Sequence, residues 1–187
     1  MAGIVLAGGN SSRMGFPKAL LLRGGTSMVR VAVEACTGPV VVVGPPELES
    51  ELAGTCAILT RENPPGGGPS AGIVAGIAAL PAVEGWVQLL PCDLTAPERV
   101  VDALDACDPH DAQALTPLAS DGWPQLIMGR YRAASLRQAA GAAGDGRDVS
   151  VRRLLGAIPR REVPMPDAWL ADVDTPRSAS AAGLQRP

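Results

Sequence analysis

The sequence is poor in aromatic residues, which make up 3% of its 187 positions. The core must therefore be built mainly from Val, Leu, Ile and Ala, and stacking platforms for single-stranded nucleic acid are nearly excluded. An excess of positive charge is also missing, since the formal net charge is −3. Nucleic acids are therefore not expected partners, although a few placed cations could still hold a small phosphorylated ligand.

Cysteine pairs and long apolar runs are lacking as well. The four cysteines are widely spread and include no C-x-x-C pair, so a reducing compartment is expected. The first residues carry no basic leader, and their apolar run is too short for a signal sequence or a membrane span. The sequence therefore predicts a cytoplasmic protein without membrane contact. Its length favours a single domain over residues 1–187.

Short apolar runs alternate with segments of helical spacing. The runs at 3–6, 40–43, 56–59 and 86–90 predict strands, and those at 27–36, 71–80 and 97–107 predict helices. A further strand over 125–131 and helices over 133–140 and 151–155 are predicted in a less regular second half. Alternating strands and helices predict an α/β fold, Rossmann-like and doubly wound, with helices on both faces of a mostly parallel sheet. In such sheets, ligands bind beyond the carboxyl ends of the strands.

The loop after the first strand reads L-A-G-G-N-S-S-R-M-G-F-P-K over residues 6–18. Its glycines let a ligand approach the backbone, and free amides together with Arg13 and Lys18 can neutralise a triphosphate. The loop is neither a P-loop nor a G-x-G-x-x-G motif, and a plain glycine-rich turn stays open as an alternative. We expect Lys18 to keep its charge in solvent when no ligand is bound, so that its removal changes stability by roughly 0.5 kcal/mol at most.

This loop closely resembles the signature of the molybdenum cofactor guanylyltransferases and their nucleotidyltransferase relatives, which share the nucleotide-diphospho-sugar transferase type of fold. In that family the loop wraps the triphosphate and the base of the nucleotide. The resemblance therefore implies a nucleotide site formed by Leu6, Ala7, Gly8, Gly9, Arg13 and Lys18.

A second loop, over residues 61–73, contains Glu62 and a run of glycines before a helix rich in small residues. It could simply connect two elements, with Gly72 and Gly76 allowing close helix packing. It also resembles the family's acidic residue followed by G-x-G-P-L-A-G, which lines the base pocket. The resemblance implies that Glu62 contacts the nucleotide.

Asp93 follows a buried apolar strand, where an unpaired carboxylate would be costly. It could cap the helix that begins at Pro97, as could Thr95. It could instead bind Mg²⁺, a hard cation that takes carboxylate and phosphate oxygens. The family places its metal-binding and nucleotide-binding aspartate at the end of this strand, which favours the metal.

The closing motif D-V-D-T-P, over residues 172–176, resembles the last conserved motif of these transferases. It implies that Asp174 is a second metal ligand. Alternatively, Asp174 or Thr175 caps the terminal helix, with Pro176 in its first turn.

Several other polar residues have plainer interpretations. His110 is expected in a surface loop, and Cys92 is expected to pack as a small hydrophobe. The pairs Arg152-Arg153 and Arg160-Arg161 predict a solvated face, part of which could meet the phosphate of a second substrate.

The resemblance extends from Leu6 to Leu184 and implies transfer of GMP from GTP to the terminal phosphate of the molybdopterin-bound molybdenum cofactor. Pyrophosphate would be released. Asp93 would hold Mg²⁺, and Lys18 and Arg13 would offset developing charge in the catalytic step. A cytidylyltransferase, a different phosphorylated acceptor and a non-catalytic nucleotide-binding module remain alternatives. Transient contacts with enzymes that supply or accept the cofactor are also expected.

Overall fold

The helices and strands follow the predicted alternation. A computed structural model describes residues 1–9 and 13–187. Strands in this part of the chain are β1 Ala2–Leu6, β2 Leu22–Arg23, β3 Thr26–Ser27, β4 Val40–Val43, β5 Ile58–Thr60, β6 Trp86–Pro91, β7 Ala114–Leu118, β8 Arg130–Arg132 and β9 Arg160–Pro164. Helices are α1 Met28–Glu34, α2 Gly68–Ala79, α3 Pro97–Asp105, α4 Ala133–Ala142, α5 Val151–Leu155 and α6 Pro176–Ala181.

One sheet links the two halves of the chain. Within the described residues it has seven strands in the order β5-β4-β1-β6-β8-β7-β9, and β2 and β3 form a separate hairpin. All neighbouring pairs in the large sheet are parallel except those of β8, which runs antiparallel to both β6 and β7. The strands β1, β4, β5, β6 and β7 therefore all end at the same edge, called here the carboxyl edge.

Both faces of the sheet are covered, as the apolar strands predict. Ile4 packs in the cluster that contains α2, α4 and α5, whereas the next residue, Val5, packs in the cluster that contains α1. Leu90 of β6 packs against α3. Successive strand residues thus face opposite helical layers, which confirms the doubly wound α/β architecture.

Helix α2 lies very close to the sheet. A Cβ built on Gly76 would lie 2.5 Å from Ile4 Cγ2, and one on Gly72 would lie 3.2 Å from Leu6 Cδ2. The close-packing interpretation of these two glycines is therefore correct. Because Gly72 packs under Leu6, the helix also supports the start of the glycine-rich loop that follows β1.

The second half differs from the prediction in three of its strands. Residues 125–131 do not form a continuous strand, because Leu126–Met128 form a 3₁₀ turn and only Arg130–Arg132 pair in the sheet. In the turn, Met128 N–H donates to Gln125 O at 3.1 Å. This local hydrogen bond takes the place of the bond to a neighbouring strand that a continuous strand would form. Strands β7 and β9 have no counterpart in the prediction, and Arg160-Arg161 begin β9.

No helix in the described ranges is long and apolar enough to cross a membrane.

Candidate active site at the carboxyl edge of the sheet

The glycine-rich loop after β1, which begins at Ala7, leaves the sheet between two strands that hold its backbone. Ala7 N–H donates to Val43 O of β4 at 2.7 Å, and Cys92 N–H, just after β6, donates to Leu6 O at 3.0 Å. Ala7 is buried, whereas Gly8 and Gly9 are exposed at the carboxyl edge. The start of the loop is therefore fixed while its glycines present backbone to solvent. Residues 10–12 lie outside the described residues, and they include Ser11 and Ser12, the two hydroxyl side chains of the loop.

Lys18 joins two acidic residues that are far apart in the sequence. Its Nζ donates to Asp93 Oδ2 at 2.8 Å and to Asp174 Oδ1 at 2.5 Å. Only 17% of the Lys18 side chain and 19% of the Asp93 side chain are exposed, compared with 51% for Asp174. The structure thus brings together three of the predicted site residues. The expectation that the Lys18 charge lies in solvent is wrong, because the two carboxylates enclose it.

These contacts shift the pKa values of Lys18 and Asp174. Burial lowers the pKa of Lys18, but the hydrogen bonds to Asp174 and Asp93 outweigh it, and the net pKa is raised. The hydrogen bond from Lys18 lowers the pKa of Asp174. Lys18 therefore stays cationic and Asp174 stays anionic at neutral pH.

Arg13 lies at the outer side of this cluster. Its Nη1 is 3.8 Å from Asp174 Oδ2, and 78% of its side chain is exposed. An ion pair this exposed contributes little to stability. The Arg13 guanidinium can therefore turn toward an anionic ligand at little cost.

Glu62 lies beside the glycine-rich loop, just after the end of β5. Its side chain is largely buried, and Oε1 accepts a hydrogen bond from Gly66 N–H at 3.0 Å. A Cβ built on Gly8 would lie 3.8 Å from both Glu62 carboxylate oxygens. Glycine at this position keeps the backbone of the glycine-rich loop near a carboxylate that can only accept hydrogen bonds, with no side chain between them.

The capping alternative for Asp93 is wrong. Helix α3 has Ala96 as its N-cap residue and no side-chain cap hydrogen bond, and Thr95 Oγ1 donates instead to Ala171 O at 3.1 Å. In the closing motif, the Thr175 hydroxyl caps α6 by accepting from Ser178 N–H at 3.1 Å. The capping interpretation is therefore correct for Thr175 and leaves the carboxylate of Asp174 to Lys18.

A third acidic residue, Asp172, lies in the same cluster, although the sequence analysis predicted only Asp93 and Asp174 as metal ligands. Asp93, Asp172 and Asp174 each offer a carboxylate oxygen, and these atoms lie within 4.8 Å of one another. Burial, followed by the charges of Asp174 and Asp93, raises the pKa of Asp172. The signal that could have identified it is the spacing D-x-D, which puts both side chains on one side of an extended segment, with Val173 buried on the other.

The backbone fixes the relative positions of the acidic residues. Leu94 and Asp172 form an antiparallel bridge, and Val173 N–H donates to Asp93 O at 3.1 Å. Arg23 Nη1 donates to Thr95 O at 2.8 Å and also pairs with Glu98. The closing motif is therefore held directly against the turn that carries Asp93.

Two plainer interpretations also agree with the structure. Cys92 is buried, and burial raises the pKa of its thiol, so that it packs in the protonated form. His110 is exposed in a turn, 3.6 Å from Asp108.

The chain resembles known nucleotidyltransferases over almost its whole length. A probable molybdenum cofactor guanylyltransferase of Synechococcus elongatus is 32% identical over 196 aligned residues, which cover 98% of each chain. Molybdopterin-guanine dinucleotide biosynthesis protein A from Archaeoglobus fulgidus shares the fold with a TM-score of 0.70 at 18% identity, covering 97% of this chain and 96% of that one. The inositol-1-phosphate CTP transferase of T. maritima does so with a TM-score of 0.75 at 12% identity, covering 97% and 93%.

A family model described as the MobA-like NTP transferase domain matches residues 3–161. That range contains the glycine-rich loop, Lys18, Glu62 and Asp93. The chain therefore belongs to the MobA-like NTP transferase family, as its motifs predict.

Proposed function

We propose that this protein transfers GMP from GTP to the terminal phosphate of the molybdenum cofactor and releases pyrophosphate. The observation that carries the proposal is the cluster of Lys18, Asp93 and Asp174 beside a backbone-pinned glycine loop in a member of this family. The similarity to a relative named as a probable molybdenum cofactor guanylyltransferase supports both the nucleotide and the acceptor.

The acidic cluster fits a divalent cation by its chemistry. Carboxylate oxygens are the ligands that Mg²⁺ prefers, and two oxygens bound to one Mg²⁺ lie up to about 4.2 Å apart. The separations within 4.8 Å among Asp93, Asp172 and Asp174 need only small side-chain rotations to reach that value. Lys18 already bridges Asp93 and Asp174, which shows that a single cation can be shared between them.

Lys18 and the metal cannot both take the position between these carboxylates. We infer that the Lys18 ammonium passes to the triphosphate when the nucleotide binds, while Asp93 and Asp174 hold Mg²⁺. A bound Mg²⁺ would neutralise phosphate charge and polarise the reacting phosphoryl group. Lys18 exchanges one set of anionic partners for another, so its charge is compensated in both states.

The reaction needs little covalent chemistry from the protein. An oxygen of the acceptor phosphate forms a bond to the α-phosphorus of GTP, and the bond from that phosphorus to the bridging oxygen breaks as pyrophosphate leaves. Lys18 and Arg13 neutralise charge on the phosphates, and the amides of the glycine loop orient them. Catalysis is then mainly positioning and electrostatic stabilisation.

Glu62 supports guanine as the base. A carboxylate only accepts hydrogen bonds, and the base-pairing edge of guanine offers two adjacent N–H donors. Glu62 lies beside Gly8 and is held by Gly66 N–H, which would orient its carboxylate for such a contact. The same fold also occurs in a protein named as a CTP transferase, so the base must be tested directly.

The experiment measures thermal stability and pyrophosphate release with GTP, ATP, CTP and UTP, each with and without Mg²⁺. GTP at about a hundred times its dissociation constant should add about 2.7 kcal/mol of stability and exceed the other three. Pyrophosphate should appear only when the molybdenum cofactor is added. Equal shifts with GTP and CTP would reject the guanine assignment, and tight GTP binding without pyrophosphate release under any acceptor would identify a non-catalytic binding module.

A further inference from the structure

A tryptophan side chain lies exposed in the turn after β7. Trp123 is 60% exposed, the most exposed large hydrophobic side chain among the described residues. An indole ring that stays in water does not gain the favourable free energy of burial, which is large because aromatic side chains can bury about 150–250 Å². An exposed tryptophan is not by itself a sign of a site, but the indole ring of Trp123 is open to a planar ligand, and its neighbours decide what it can bind.

The turn that carries Trp123 is fixed by hydrogen bonds. Trp123 N–H donates to Asp121 Oδ1 at 2.9 Å, and Trp123 O accepts from Ala119 N–H at 3.3 Å. Gln125 N–H closes the turn on Pro117 O at 2.8 Å. The ring is therefore presented by an ordered backbone and loses little entropy if a ligand stacks on it.

The turn lies at the same edge of the sheet as the Lys18 cluster. Strand β8 is antiparallel to both β6 and β7, so β6 and β7 run in the same direction, and the turn after β7 is at the carboxyl edge. Asp167 accepts from Ser120 N–H at 2.9 Å and from the Ser120 hydroxyl. Asp167 begins the short segment that leads to Asp172 and Asp174, so the tryptophan turn is tied to the acidic segment of the active site.

Arg152 adds a cation to this aromatic surface. Its guanidinium carbon is 5.8 Å from the centroid of the Trp123 ring, within the range of a cation–π contact. Arg152 is exposed on α5. The pair combines a flat apolar face with N–H donors that can bind carbonyl oxygens or anionic groups.

We propose that Trp123 and Arg152 bind the second substrate, and that they select an acceptor with a planar conjugated ring. The ring stacks on the exposed indole, and Arg152 binds polar or negatively charged atoms at the same end of the acceptor. The phosphate end then extends along the carboxyl edge toward Lys18 and Asp93. This inference rests on the proposed function, in which the acceptor joins a pterin ring to a terminal phosphate.

The first test compares acceptor KM values in variants. Trp123→Ala should raise KM for the molybdenum cofactor by about 5-fold to about 150-fold, as expected for a lost ring-stacking contact. Its kcat at saturating acceptor and its GTP-induced thermal shift should stay within twofold of wild type. Trp123→Phe should restore most of the affinity, because a phenyl ring can still stack.

A second tryptophan–arginine pair provides the matched control. Arg132 lies 4.2 Å from the Trp86 ring at the opposite edge of the sheet, where β6 begins. Arg152→Gln should raise the acceptor KM, whereas Arg132→Gln should leave it unchanged. Equal effects of the two substitutions, or an unchanged KM in Trp123→Ala, would overturn the proposal.

A binding measurement separates this inference from the nucleotide assignment. A phosphorylated pterin should quench the tryptophan fluorescence of wild type without nucleotide and fail to quench Trp123→Phe to the same extent, whereas a sugar phosphate should have no effect on either. Release of pyrophosphate from CTP instead of GTP would reject only the guanine assignment, and the KM comparison would then be made with CTP. Turnover of a sugar phosphate without pterin binding would reject the stacking site itself.

Discussion

Replacing Lys18 with alanine should destabilise the protein when no ligand is bound. The substitution leaves Asp93, Asp172 and Asp174 with carboxylate oxygens within 4.8 Å of one another and removes the ammonium that bridges two of them. Repulsion among these carboxylates is then no longer offset by Lys18, and in the described part of the chain only the exposed Arg13 guanidinium remains beside Asp174. This expectation reverses the sequence-based one, in which the Lys18 charge lies in solvent and its loss changes almost nothing.

The burial of Lys18 and its two carboxylate partners determines how much stability the substitution removes. Exposed ion pairs contribute about 0.2–1 kcal/mol, whereas removing one partner from a buried pair costs about 3–5 kcal/mol. Lys18 and Asp93 are mostly covered, but Asp174 is half exposed, so we expect a loss of about 1–3 kcal/mol. For a domain of this size, 1 kcal/mol shifts the melting temperature by about 2–4 °C, so a loss of about 1–3 kcal/mol corresponds to a decrease of about 2–12 °C.

Thermal unfolding across a Mg²⁺ titration provides the assay. Mg²⁺ should raise the melting temperature of Lys18→Ala more than that of wild type, because the cation then replaces the missing ammonium. Adding Asp93→Asn to Lys18→Ala should recover part of the lost stability by removing one of the repelling charges. Arg99→Ala removes the same charge from an exposed position on α3 and should change little. The reasoning is refuted if Lys18→Ala melts together with wild type, or if Mg²⁺ stabilises both proteins equally.

Three further predictions concern catalysis, acid stability and helix packing. Asp93→Asn should fold normally but slow pyrophosphate release by about two to four orders of magnitude, about 3–5 kcal/mol of transition-state stabilisation, because an amide is a poor ligand for a hard divalent cation. Asp174→Asn should cost less, and normal turnover of Asp93→Asn at ordinary Mg²⁺ would contradict the metal assignment. The hydrogen bond from Lys18 lowers the pKa of Asp174 below its usual 3.8. The ionised Asp174 carboxylate therefore contributes its full stabilisation of the folded protein above pH 3.8, and this contribution is lost as the pH falls through the lower folded-state pKa. In urea unfolding, acidification should therefore lower the free energy of unfolding less for Asp174→Asn than for wild type. Equal decreases in the two proteins would contradict this. Gly76→Ala should lower the unfolding free energy by about 1–3 kcal/mol, because its Cβ would lie 2.5 Å from a methyl carbon of β1. Gly141→Ala, also helical but open to solvent, should raise it by up to about 1 kcal/mol, and equal effects of the two would contradict the close approach of α2.

The first half of the fold could be predicted because its strands are apolar on both faces. Val40–Val43 is a run of four valines that can only be buried, and Ile4 and Val5 face opposite helical layers. Such local patterns determine the element type without information from distant parts of the chain. The positions of Leu6, Glu62 and Asp93 at one edge then followed from the common direction of the strands.

Strands β7 and β9 could not be predicted because their stability comes from pairing over a long distance. β9 has the sequence R-R-E-V-P, with one apolar side chain apart from proline, and it pairs with β7 through the register Ala114 with Arg160. β7 contains Pro117, which normally argues against a strand inside a sheet. Strand β8 pairs only with Ala114 and Leu115, so the missing N–H of Pro117 lies beyond that ladder, and its carbonyl is bound by Gln125.

The cluster of Lys18, Asp93, Asp172 and Asp174 could not be predicted from the sequence for a different reason. Lys18 is 75 residues from Asp93 and 156 residues from Asp174, and no local pattern connects the three positions. The connection between the acidic segments is made by backbone groups, through the Leu94–Asp172 bridge and the hydrogen bond from Val173 N–H to Asp93 O. Because almost any residue can make backbone bonds, the sequence carries no direct sign of this contact. Motif resemblance could therefore name Asp93 and Asp174 separately, and the D-x-D spacing could have added Asp172 to Asp174, but only the fold shows that these carboxylates lie beside Asp93 and that Lys18 joins Asp93 to Asp174.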